Sequence, residues 1–125
     1  MLMVALVKRG DALDYPLCDQ TVTVYHLDGN AVTRTVHERA FLDFRKAENV
    51  AKTGSKDASS FLLVIPGDGS PVSEGDKVML GEGPEAVGIE GWRNLIPSKV
   101  PGLVVVSYVD AKHFRGKKVH TEAGG

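Results

Sequence analysis

The sequence predicts an all-β, mainly antiparallel fold: a small β-barrel or sandwich of about six to seven strands, with one long loop and at most one short helical turn. Three observations predict it. Apolar and polar residues alternate with period two in several short runs, most cleanly in TVTVYHL (residues 21–27). Asp-Gly, Pro-Gly and Gly-Asp dipeptides end these runs at short intervals, which is turn chemistry. Little of the chain reads as helix, and no internal repeat is present.

Residues 1–125 read as a single domain, because 125 residues suit one core and leave no room for two ordinary ones. Residues 1–20 form its N-terminal arm and connector. The opening MLMVALV has no basic residue before it, as a secretory signal would, and is far short of the ~20 apolar residues of a membrane helix. It reads as a first strand or a packing arm. Residues 11–20 read as a connector, since Pro16 disrupts pairing.

Residues 21–27 then place Val22, Val24 and His26 on one face and Thr21, Thr23, Tyr25 and Leu27 on the other. Asp28-Gly29 centres a tight hairpin turn. The return strand AVTRTVHERAFLDF sets Val32, Val36, Ala40, Leu42 and Phe44 on one face, and Glu38 and Phe41 break that parity, so a bulge is expected near residues 38–41. Residues 48–60 form the long loop, rich in Gly, Ser, Ala, Lys and Asp; its charges, Glu48, Lys52, Lys56 and Asp57, cancel. FLLVI (residues 61–65) reads as a buried strand ended by Pro66-Gly67. KVML begins a short strand, one helical turn is expected near residues 92–95, LVVVSYVD reads as a central strand, and KKVHTEAGG closes the fold as the last strand.

Composition narrows the function classes. Hydrophobic residues at 42% and charged residues at 25% fit a soluble globular protein. A net charge of −1 argues against a protein whose main task is to grip nucleic acid. Cys18 is the single cysteine, so an intrachain disulfide and a cysteine-based zinc site are excluded, and a reducing compartment fits.

The residues that could carry chemistry do not form a recognisable pattern. His26 and His37 lie on the two strands of one hairpin, out of register with each other, with His26 expected near Ala31; His113 falls in a loop and His120 in the last strand. No H-x-H or H-E-x-x-H spacing occurs. Cys18 lacks a nucleophile signature, and no serine sits in a G-x-S-x-G elbow. Gly81-Glu82-Gly83-Pro84 lacks the spacing and the lysine of a phosphate loop. The residues therefore predict no catalytic, metal or cofactor site, and a non-enzymatic protein. Lys112, Arg115, Lys117 and Lys118 form one basic tip with Phe114 interleaved, a solvated hairpin end with the capacity for phosphate contact. Trp92, the only tryptophan, is expected to fill core rather than to dock a neighbour.

The order of these features resembles a known family. The hairpin of residues 21–54, the buried FLLVIP strand after a small-residue loop, the EGDKVMLGEG turn-strand-turn and the closing LVVVSYVDAKHFRGKKVHTEAGG are together similar to the small head-completion proteins of long-tailed bacteriophages and prophages. These are head-closure or stopper proteins, also labelled minor capsid proteins. The resemblance spans residues 21–125 and rests on order and spacing; residues 1–20 do not share in it.

The resemblance implies a small β-barrel in a homo-oligomeric ring at the head–tail junction, retaining packaged DNA and presenting a surface on which the tail docks. It implies portal, connector and tail-completion proteins as partners, proximity to double-stranded DNA without sequence-specific binding, no membrane, and a virion location after synthesis in the bacterial cytoplasm. It carries over no site residue and no cofactor. Within this reading the channel-facing segment is the long loop, through Val50, Lys52, Thr53, Gly54, Ser55, Lys56 and Asp57, because small side chains and zero net charge would let DNA slide. An ordinary surface loop is the plain alternative. Two other functions remain open. An oligonucleotide-binding-type barrel could stack single-stranded bases on Tyr25, Phe41, Phe44, Phe61 or Tyr108. A small hydrolase or metal enzyme would have to use His37, His120 or Cys18.

Overall fold

The computed structural model describes residues 7–9, 12–46 and 59–125. Among them the chain forms β1 (Val7–Arg9), β2 (Ala12–Asp14), β3 (Gln20–Asp28), β4 (Ala31–Lys46), β5 (Ser59–Pro66), β6 (Lys77–Leu80), α1 (Gly88–Arg93), β7 (Val104–Val105), β8 (Tyr108–Phe114) and β9 (Lys117–Gly124). β1 and β2 pair as a small hairpin, and the others form one sheet in the order β7-β6-β3-β4-β5-β9-β8, antiparallel throughout. The fold is thus the small all-β, barrel-like architecture that the alternation predicts.

Two strands make the sheet curl. β4 runs for 16 residues and pairs with β3 through its first half and with β5 through its second. At the changeover Gln20 faces Ala40 and Val22 faces His37, so Glu38 and Arg39 together oppose Thr21. This is a β-bulge where the sequence expects one, and it bends the strand. It also switches parity. Before the bulge Val32 faces outward with Tyr25; beyond it Ala40 and Leu42 face the interior. The single face expected for Val32, Val36, Ala40, Leu42 and Phe44 is therefore corrected to two.

The second device is the segment 104–114. LVVVSYVD (residues 103–110), expected as one central strand, is instead split between the two edges of the sheet, β7 and β8. Only Val106 and Ser107 join them. The Val106 N–H donates to Asp76 O at 2.9 Å on one side, and the Ser107 N–H donates to Gly124 O at 2.7 Å on the other. A continuous ribbon thus leaves one half of the sheet and enters the other, closing the curl covalently.

Alternation then sorts the apolar side chains into an interior and two outer layers. Val22, Val24, Leu63, Ile65, Val78 and Ala123 fill the interior, each buried aliphatic side chain contributing roughly 1.5–3 kcal/mol. Outside the β3 half, Tyr25 packs with Leu95, Leu103, Val32 and Trp92, so the segment after β6, including α1, is a cover, and Trp92 packs against this core as expected. Outside the β5 half, Tyr15 and Cys18 pack on Val64, Phe41 and Leu62.

The turn chemistry is as read, with shifts of one or two positions. Gly29 and Asn30 occupy the β3–β4 turn, with Gly29 at φ +63°, and His26 pairs with Thr33 rather than near Ala31. The helix begins at Gly88, ahead of the expected turn. Residues 12–14, expected within a connector, form β2, and His113 lies in β8 rather than in a loop. Ser59 and Ser60, expected in the loop, already belong to β5, where Ser59 pairs with Lys46 and Ser60 with Arg45. The remainder of the long loop lies outside the described residues.

Candidate functional site

The densest polar constellation among the described residues lies at the end of the β3–β4 ribbon. There the inward-facing side chains of β3 and β4 meet the loop between β5 and β6 and leave a groove of about 280 Å³. Register explains why these residues converge. His26 and Thr33 are partners across the ribbon, as are Val24 and Thr35, and Val22 and His37, so Thr33, Thr35 and His37 stand in file on one face. Across the ribbon from the core residues Val22 and Val24, β4 thus carries polar side chains on its share of that face.

Asp76 closes one end. It is 3% exposed, and both its oxygens are engaged: Oδ1 accepts from His26 Nδ1 at 2.6 Å, and Oδ2 from the Ser73 N–H at 2.8 Å. Its backbone is held as well, through its N–H to Ser73 O and its carbonyl to the Val106 N–H. Because the carboxylate has no hydrogen to give, His26 donates through Nδ1, and in the neutral ring Nε2 is then an acceptor. His37 stands at the other end with Nε2 buried and without a partner. Burial lowers its pKa from the ordinary histidine value and favours the neutral ring. The two histidines stand too far apart to ligate one metal ion. Four strand positions separate His37 from Thr33, the partner of His26, or roughly 13 Å along the ribbon, and no group of three or more metal-ligating side chains occurs among the described residues.

A second constellation lies under the N-terminal segment. Cys18 N–H donates to Tyr15 O at 3.0 Å, closing a turn over Pro16 and Leu17 that presses Tyr15 and Cys18 against the sheet. The Tyr15 hydroxyl meets His120 Nδ1 at 2.7 Å, and His120 Nε2 meets Glu122 Oε2 at 3.0 Å. The carboxylate takes the Nε2–H, so Nδ1 accepts the tyrosine proton, and the Tyr15 ring stands edge-on to the imidazole at 5.3 Å. Burial, then the neighbouring Cys18 and Glu122, pushes the Tyr15 phenol up to about 12; burial pushes the Cys18 thiol up to about 11. Cys18 is therefore a packed, protonated thiol at neutral pH.

The basic residues read from the sequence do converge. Lys112 and Lys118 flank the β8–β9 turn, in which Arg115 and Gly116 have positive φ, and Lys117 pairs with Phe114. Arg115 lies 5.3 Å from the Phe114 ring. Lys112 bonds Asp110 at 2.7 Å, an interaction that raises its pKa. Val50, Lys52, Thr53, Gly54, Ser55, Lys56 and Asp57 lie outside the described residues. Of the aromatics considered for base stacking, Tyr25 and Phe61 are buried, and Phe44 and Tyr108 are exposed. Gly81-Glu82-Gly83-Pro84 is a structural cover: Thr23 Oγ1 donates to Gly81 O and accepts from the Gly83 N–H, Tyr25 donates to Pro84 O, and Arg34 donates twice to Gly83 O.

Sequence reasoning did not pair His26 with Asp76, nor Tyr15 with His120. These partners are 50 and 105 residues apart, and no local spacing announces either pair. No protein family model, curated protein or solved structure matches this chain.

Proposed function

We propose that this chain is a virion structural protein of the phage head–tail junction, a head-closure or connector subunit that forms a ring and acts without catalysis. The observation that carries the reading is the build of the barrel around β4 and β5. The two strands stay in register to their last pair, Lys46 with Ser59, so the chain leaves and re-enters the sheet at one point there. A ring subunit needs two different surfaces for its neighbours. The edge of β8, which no strand covers among the described residues, and the exposed Tyr108, Val105 and Leu80 provide surface for contact. The order of sequence features shared with head-completion proteins supports the same role. In this reading the partners are further copies of the chain, portal or connector proteins and tail-completion proteins, and the site of action is the virion.

Native mass spectrometry and negative-stain microscopy, with and without connector and tail components, test it. Closed oligomers or joint particles are expected. A chain that stays monomeric in every mixture overturns the proposal.

A further inference from the structure

We propose that the groove between the β3–β4 ribbon and residues 70–76 is a binding site for a primary ammonium group. The inference is independent of the virion reading and rests on what lines the groove. Asp76 supplies one carboxylate, buried and fixed by bonds to both oxygens. His26, with Nδ1 committed to that carboxylate, offers the Nε2 lone pair. Thr33, Thr35, Ser70 and Ser73 add hydroxyls able to accept. No lysine or arginine is among the described lining residues. An –NH3+ group has three donors and no acceptor, so this wall of acceptors beside a fixed negative charge is complementary to it. The same wall disfavours anions, which would face Asp76 with no cation to hold them.

His37 supplies the second argument. A buried polar atom without a partner lowers stability unless something satisfies it. His37 Nε2 is such an atom, and it belongs to a lining residue of the groove. The ring that carries it borders the far end of the groove, so a ligand with donors at both ends matches the file Thr33, Thr35, His37. The volume of about 280 Å³ equals that of roughly nine waters, enough for a short linear amine.

An ammonium of this kind comes either as a free amine or as a lysine side chain of another protein, and titration of the whole chain distinguishes the two. Histidine ring resonances are followed by NMR while 1,4-diaminobutane, or Nα-acetyllysine methylamide, is added at constant ionic strength. Saturable shifts of His26 and His37 are expected, with a Kd on the order of millimolar for so open a site. The tighter of the two probes identifies the source. 1,4-Butanediol, equal in length and uncharged, and inorganic phosphate are expected to bind at least about tenfold more weakly. Asp76→Asn retains the shape and is expected to weaken the amine about tenfold or more. Because Asp76 also anchors the loop, Thr35→Val and His37→Leu, which break no observed hydrogen bond, are measured beside it; each is expected to weaken binding several-fold, Thr35→Val with an unchanged unfolding midpoint and His37→Leu with a midpoint no lower than wild type. Failure of both amines to shift either histidine, equal binding of butanediol, or undiminished binding by all three variants overturns the proposal.

Discussion

Tyr15 shows how much one hydroxyl does in this fold. Its ring packs with Cys18 and Val64 while its O–H satisfies His120, whose other nitrogen is committed to Glu122. Tyr15→Phe keeps the packing and orphans a buried nitrogen, so denaturant unfolding is expected to show a loss of roughly 1–2 kcal/mol. Tyr15→Ala, which also opens a cavity, is expected to lose about 3–5 kcal/mol. If Phe and wild type unfold alike, the relay contributes nothing. The same turn sets an alkaline limit. The folded thiol titrates near 11 against an ordinary 9.0, and the folded phenol near 12 against 10.0. Both folded values are raised, so the folded chain holds protons that the unfolded chain has released. The stability from these groups is whole below pH 9 and is lost as pH rises through 11 and 12. A urea midpoint that falls across that window is expected, and Cys18→Ala is expected to move its onset toward pH 10; a flat profile from pH 9 to 11 excludes the linkage.

The cover over Tyr25 hangs on Lys77. Its ammonium donates to Trp92 O at 2.9 Å and Leu95 O at 2.8 Å, at the end of α1, and sits 4.3 Å from the Trp92 ring centre. A helix of 6 residues without a side-chain N-cap has little stability of its own, so this clamp and the apolar contacts hold it. Lys77→Met keeps the stem and removes the donors. The expected result is faster amide exchange in residues 88–95 and a loss of about 1–3 kcal/mol, with red-shifted Trp92 emission; protection equal to wild type rules out the clamp. Such elements also divide what was legible in the sequence from what was not. The β3–β4 hairpin, the 38–41 bulge and the buried strand after the loop were legible, because period and turn residues are local signals. The split of 104–114 between two edges was not: a run such as LVVVSYVD has the same composition whether it crosses one half of a sheet or bridges two. The His26–Asp76 pair depends on the loop after β5 folding back over β4, which no spacing encodes.

Curl, closure and cover leave one connection whose two ends are held by the sheet itself. Lys46 and Ser59 are paired, so the ends of residues 47–58 are already neighbours, roughly 5 Å apart as in any antiparallel pair. Replacing residues 47–58 by Asn-Gly, which forms a two-residue turn between antiparallel strands, is therefore expected to leave the fold intact. By loop-closure entropy it is expected to raise stability by roughly 1–2 kcal/mol. Unfolding of the shortened chain measures this, and a loss of several kcal/mol shows that residues 47–58 pack on the barrel. Function separates from stability in the same variant. If the ribbon tip reaches into the channel of a ring, a shortened subunit folds and still associates, yet particles carrying it leak DNA or fail to join a tail. Full infectivity of such particles removes the channel role from residues 47–58 and moves the search to the β8 edge. Monomers of both chains instead remove the ring.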